Sequence, residues 1–245
     1  AFYRADQMVH VGKCFHFEQF RNTHRTGHAA LAQIVAQQVH DHQVFRAILG
    51  VIAQFLGQLS VPLRISATRA QPGDVVIVNG TLGDHGAAIL VARNELDLQS
   101  DIASDCQPLH GLVQAMLAAC PDIHCLRDAT RGGLASALNE IADAAGVGIV
   151  IAETDLPLRP EVKGVCEILG LDPLYLANEG TLVLFAPPDE AQAALAAMRG
   201  TAAGAGACII GQATAAHPGT VVMKTVFGGG RIVDMLVGEQ LPRIC

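Results

Sequence analysis

Residues 65–245 predict an α+β fold, an α/β sandwich, on three observations. Short runs rich in β-branched residues recur along the stretch, punctuated helical segments lie between them, and a hairpin-like pair closes the series. The run VVIVNG (75–80) opens the strands, and GIVIAE (148–153), LVLFA (182–186), ACIIGQ (207–212) and VVMKTV (221–226) continue them. Each is short, apolar at its centre and flanked by turn-forming residues.

The helices follow from period and punctuation. Segment AAILVA (87–92) is a short apolar helix behind a glycine-rich turn. Leu109, Leu112, Val113 and Met116 share one helical face, and that helix ends before Pro121. Over 130–145, Leu134, Leu138, Ile141 and Ala145 form the inward stripe, with Gly146 placed to stop it. Pro160 opens a further helix with Val162, Val165 and Leu169 inward and Gly170 as its stop.

Residues 1–63 show no such order. Six of the ten His, eight Gln and seven aromatics fall in the first 60 residues, against Asp6, Glu18 and Asp41 as the acids. One segment, HAALAQIVAQQVHDHQVF, aligns Leu31, Ile34, Val35 and Val39 on a helix. His24 with His28, and His40 with His42, have ligand-like spacing but no neighbouring Cys or carboxylate cluster, so no metal site is expected. The expected plan is an atypical segment over 1–63, a folded domain over 64–235 and a mobile tail over 236–245.

Charge and cysteine usage exclude several classes. A net charge of −7 with 16 Lys+Arg argues against nucleic acid, which demands a basic stripe. No apolar run reaches the roughly 20 residues of a membrane span. The start, AFYRADQMVHVGKC, has no secretory pattern. Seven cysteines lie scattered without a CxxC pair, which predicts reduced thiols in a cytoplasmic protein.

Three stretches are candidates for chemistry. In GTLGDHG (80–86), Asp84 and His85 sit in a glycine-rich turn between a strand and a helix start, which presents N–H groups to an anion or simply permits the bend. In RDATRGGL (127–134), Asp128 or Thr130 can cap the next helix, Gly132 and Gly133 allow close approach, and Arg131 offers a fork of donors for phosphate. In NEGTL (178–182), Glu179 stands at the mouth of a buried strand, as a general base, a metal ligand or a plain turn residue.

The last residue, Cys245, closes the stretch GEQLPRIC. It is too near the end to be prenylated, since that signal needs three residues beyond the Cys.

Taken together, ISATRAQPGDVVIVNGTLGDHGAAIL, LRDATRGGLASALNEIA, GVCEILGLDPLYLANEGTLV and PRIC resemble the [NiFe]-hydrogenase maturation factor HypE family, carbamoyl dehydratases of the aminoimidazole ribonucleotide synthetase (PurM)-like superfamily. The resemblance implies a PurM-like C-terminal domain with a flexible, cysteine-ended tail. It implies that Cys245 accepts a carbamoyl group from the carbamoyltransferase HypF, and that ATP with Mg2+ drives dehydration to a thiocyanate. The cyano group then passes to iron on a HypC–HypD complex. Glu179 would assist proton removal, while Asp84, His85, Asp128, Thr130, Arg131, Gly132 and Gly133 would line the nucleotide cleft. From Asp234 to Cys245 the chain can reach about 35 Å when extended, enough to carry a group between sites.

The sequence also departs from that family. Its N-terminal domain carries GDDAA-like, TDSF-like and GDTK-like motifs and the dimer surface, and residues 1–63 hold none of these. Lys13 is the lysine of this stretch, and no Asp-Asp pair occurs. Residues 1–63 read as an out-of-frame or wrongly started translation, with a replacement domain or a truncated paralogue as alternatives. An ATP-dependent enzyme and a catalytically impaired carrier or partner-binding module are the two functional expectations, and a homodimer would lack its family surface.

Overall fold

The structure, a computed structural model, describes residues 64–93 and 101–236. The histidine pairs, the segment 1–63 and the tail residues 237–245 with Cys245 lie outside the described residues. The described residues belong to one compact unit.

Seven strands form a single mixed sheet: β1 (Val75–Val78), β2 (Cys125–Asp128), β3 (Gly148–Ala152), β4 (Leu182–Ala186), β5 (Cys208–Thr214), β6 (Val221–Lys224) and β7 (Gly230–Val233). Their order is β2-β4-β1-β5-β3-β6-β7. Every pairing is antiparallel except β3 with β6. All five strand runs seen in the sequence are present, but β3 lies between β5 and β6, and β6 forms its hairpin with β7.

Side-chain alternation splits the core into two layers. Val76 and Val78 of β1, with Val183 and Phe185 of β4, face one side, where α3 (Gly133–Ala145) lays down Leu134, Leu138 and Ile141. Ile77, Leu182, Leu184 and Ala186 face the other side, covered by α2 (His110–Ala119) and α5 (Ala191–Arg199) through Leu112, Met116, Ala194 and Met198. A smaller cluster joins α1 (Asp84–Ala92) to α4 (Pro160–Leu169) through Ala87, Val162, Val165 and Leu176.

The punctuation of α4 is as the sequence predicts, with Pro160 at its start and Gly170 at φ 65 after its end. The start of α3 differs. Gly132, at φ 70, precedes the helix without a side-chain cap. Thr130 turns away from that task and donates its hydroxyl to Asp128 Oδ2 at 2.7 Å. Two consecutive positive-φ glycines, Gly132 and Gly133, replace the cap because the backbone must bend under another loop. A Cβ on Gly133 would lie 2.4 Å from the Leu174 carbonyl oxygen.

Candidate functional site

Strand order brings distant loops together. β4 lies between β2 and β1 and runs antiparallel to both, so its beginning stands beside their ends. Asp128 is paired with Leu182, and Val78 with Val183. Loops 79–86, 129–133 and 176–181, which contain all three candidate motifs, therefore share one end of the sheet.

Asn178 ties these loops to one another. Its Oδ1 accepts the Gly83 N–H at 2.7 Å, and its Nδ2 donates to the carbonyls of Ala129 at 2.9 Å and Leu176 at 3.1 Å. Its own backbone N–H also donates to Ala129 at 3.1 Å. A primary amide has one acceptor oxygen and two donor hydrogens, so all three functions of this buried side chain are used. Asn79, at the end of β1, braces the junction in the same way, accepting the Leu182 N–H at 2.7 Å and donating to the Gly180 and Ala203 carbonyls at 3.0 and 2.9 Å.

Glu179 is half-buried at the centre of this junction. Its turn is gripped by Asp105, a residue from the irregular stretch before α2. The Asp105 carboxylate accepts the N–H groups of Glu179 and Gly180, each at 3.0 Å, and the Thr181 hydroxyl at 3.0 Å. Gln107 adds a donation to the Gly180 carbonyl at 3.3 Å. The two segments touch so closely that a Cβ on Gly180 would fall 1.8 Å from the Asp105 carbonyl oxygen.

Asp84 begins α1 and is 1% exposed. Its Oδ2 accepts the Thr81 hydroxyl and pairs with Arg159 Nε at 3.1 Å, while Oδ1 is buried without a partner. Burial raises the pKa of this carboxyl above its usual range, against the pull of Thr81 and Arg159. His85 shares Nδ1 with Ser104 Oγ at 2.8 Å, and its Nε2 is likewise buried and unpartnered. Burial lowers the His85 pKa, with the Asp105 charge opposing the shift. The neutral ring is thereby favoured.

The two helix starts differ as anion sites. At α1 the Gly83 and Gly86 N–H groups are already committed to Asn178 and to the Ala177 carbonyl, and Asp84 places a carboxylate in the first turn. At α3 the first turn holds no acid and Arg131 is exposed just ahead of it, while the Gly133 N–H is taken by the Thr130 carbonyl at 3.0 Å. Amides are committed at both helix starts, and it is charge, a carboxylate in the first turn of α1 against none at α3, that makes α3 the better match to a phosphate. Asp128 stands beside it, bonded by Arg127 at 3.3 Å, while Arg127 also reaches Glu140 at 2.7 Å.

The motifs in the sequence thus do meet, but the residues that join them carry no signal of their own. Asp105, Ser104 and Gln107 lie in DIASDCQPL, which has no periodicity and no motif. Asn178 is legible only as the neighbour of Glu179, although an amide beside a strand mouth is well suited to bridging loops.

A cavity of about 300 Å³ lies at the opposite end of these strands, lined by Gln71, Asp74, Asp122 and His124 among others. There the buried His124 Nδ1 contacts Asp74 at 2.9 Å. Among the described residues no group of three or more His, Cys, Asp or Glu is arranged to hold a metal, and no helix is long and apolar enough to cross a membrane. Cys120, Cys125, Cys166 and Cys208 are free thiols. Burial pushes the Cys120 thiol up to about 12 and those of Cys125 and Cys166 to about 11. These three are packing residues, not nucleophiles.

Residues 71–224 match the family model of the AIR synthase related protein, C-terminal domain. The chain is 68% identical over 181 residues to a carbamoyl dehydratase HypE of Rhodobacter capsulatus, covering 74% of this chain and 53% of that protein. A crystal structure of hydrogenase maturation protein HypE in complex with ATP superposes with a TM-score of 0.69 at 46% identity, over 74% of this chain and 55% of the other. A HypE–HypF complex superposes with a TM-score of 0.67 at 43% identity, over 70% of this chain and 56% of the other. The chain spans about half the length of the curated relatives it matches. By its family model, its relatives and its fold, the chain belongs to the AIR synthase-related family and, within it, to the HypE hydrogenase maturation proteins.

Proposed function

We propose that this chain serves [NiFe]-hydrogenase maturation by dehydrating a carbamoyl group carried on the Cys245 sulfur. The reaction converts R–S–C(O)NH2 and ATP to R–S–C≡N, ADP and phosphate. Oxygen leaves the carboxamide only after phosphorylation, and the nitrogen must give up its protons. Such a step needs donors for phosphoryl charge and a base beside the nitrogen.

The observation that carries this reading is the convergence of the three loops at one end of the sheet around Glu179. Glu179 takes the role of base. The α3 start, with Gly132, Gly133 and Arg131, takes phosphate, with Asp128 and Thr130 on the same loop, and Mg2+ would accompany the nucleotide. Asp84 and His85 shape the floor, each with one buried polar atom open to a hydrogen bond. Support comes from relatives named carbamoyl dehydratase and from a relative that binds ATP. HypF is the proposed carbamoyl donor, on the strength of the HypE–HypF complex, and a HypC–HypD complex the proposed acceptor of cyanide.

A second reading, a carrier or partner-binding module without turnover, follows from residues 1–63, which hold none of the GDDAA-like, TDSF-like or GDTK-like motifs. ATP hydrolysis by the purified chain, with and without carbamoyl donor, separates the two. The enzyme reading expects hydrolysis that depends on a carbamoylated Cys245, and no nucleotide binding at millimolar ATP would refute it. A carbamoyl adduct that persists unchanged with ATP would establish the carrier instead.

A further inference from the structure

We propose that Asp105 is the positioning residue for Glu179, setting the turn from which that carboxylate acts; the inference rests on the dehydratase reading above. The geometry is specific. A single carboxylate takes the N–H groups of Glu179 and Gly180 and shares the Thr181 hydroxyl with the Thr81 carbonyl. Both oxygens are used, Oδ1 by Glu179 and Oδ2 by Gly180 and Thr181. This fixes the peptide planes on either side of the Glu179 Cα, and with them the direction in which its side chain leaves the backbone.

The neighbours of Asp105 reinforce that role. Gln107 holds the Gly180 carbonyl, and Asn79 holds the same oxygen from the other side. Gly180 has no Cβ, and any Cβ there would collide with the Asp105 main chain, so the turn can lie flat on this segment. Ser104 holds His85, and the Asp105 charge acts on the same ring. One short stretch, 104–107, thus orders both Glu179 and His85 without contributing to the sheet. Small displacements matter in such an arrangement, since a catalytic group misplaced by about 1 Å loses on the order of 100-fold in rate.

Asparagine in place of Asp105 keeps the shape but presents an NH2 group to backbone donors, so at least one N–H loses its acceptor. The test uses the full chain with Cys245 carbamoylated, followed in a single turnover with ATP. Asp105→Asn should slow dehydration by about 10- to 100-fold, with the ATP dissociation constant within about twofold of wild type. A residue acting through Glu179 should add nothing once Glu179 is gone, so Asp105→Asn/Glu179→Gln should be no slower than Glu179→Gln alone. Asp105→Asn at wild-type rate, or a full multiplicative loss in the double variant, overturns the inference while leaving the dehydratase reading intact. Failure of the wild-type chain to dehydrate sinks that reading instead. Amide hydrogen exchange at Glu179 and Gly180 still decides the role of Asp105 in that event. Exchange at least about tenfold faster in Asp105→Asn supports it, and unchanged exchange refutes it.

Discussion

Asn178 shows how much of this molecule depends on single side chains. Removing its amide takes away the acceptor of the Gly83 N–H and the side-chain donor to the Leu176 carbonyl, and each buried polar group so exposed costs about 1–3 kcal/mol. Asn178→Ala should therefore lower unfolding stability by about 2–4 kcal/mol in denaturant titration. His85 makes a prediction of a different sort. Its pKa in the folded chain lies below the ordinary 6.5, so the unfolded chain binds the proton more tightly. Stability is complete above that ordinary value and declines as pH falls through it towards the folded pKa. His85→Gln should flatten this region of the stability–pH curve, read from thermal melts between about pH 7 and about pH 5. A variant that melts with an unchanged pH slope would show that the ring does not titrate differently on folding.

At the scale of elements, α3 joins the core to the site. Its inner stripe buries Leu134, Leu138 and Ile141 completely, while its first residues form the proposed phosphate cradle. Leu138→Ala should cost about 2–5 kcal/mol through the cavity it opens, measured by chemical denaturation, and should leave the cradle glycines unaltered. Elements of this kind were legible in sequence because apolar period and stop signals agree. Those that were not lacked a local signal. β2 is four residues, CLRD, with no β-branched residue, and becomes a strand through its pairing with β4. β7, with Arg231 and Ile232 exposed, is an edge strand recruited by β6. The alanine-rich α5 hid its face because Ala191 and Ala194 carry little hydrophobic contrast, yet both are buried. Site residues divide in the same way. Glu179, Arg131 and the paired glycines lie in motifs, whereas Asp105 acts from 74 residues away in the chain, a contact no local pattern encodes.

For the whole molecule, the account is one of assembly by topology. An antiparallel strand inserted between two others gathers three loops at one sheet end, and Asn178 and Asp105 lock them there. The chain as a whole is acidic, at −7, which argues against a nucleic-acid partner. Its proposed chemistry joins this junction to a sulfur on Cys245, so both ends of the proposal can be read in one experiment. The most direct measurement is the mass of the Cys245 peptide after the carbamoylated chain is incubated with ATP, for wild type and Glu179→Gln. The account predicts that the wild-type adduct loses the mass of one water while the variant retains the carbamoyl group, slowed by about 100-fold or more. Equal loss of water from both would contradict it.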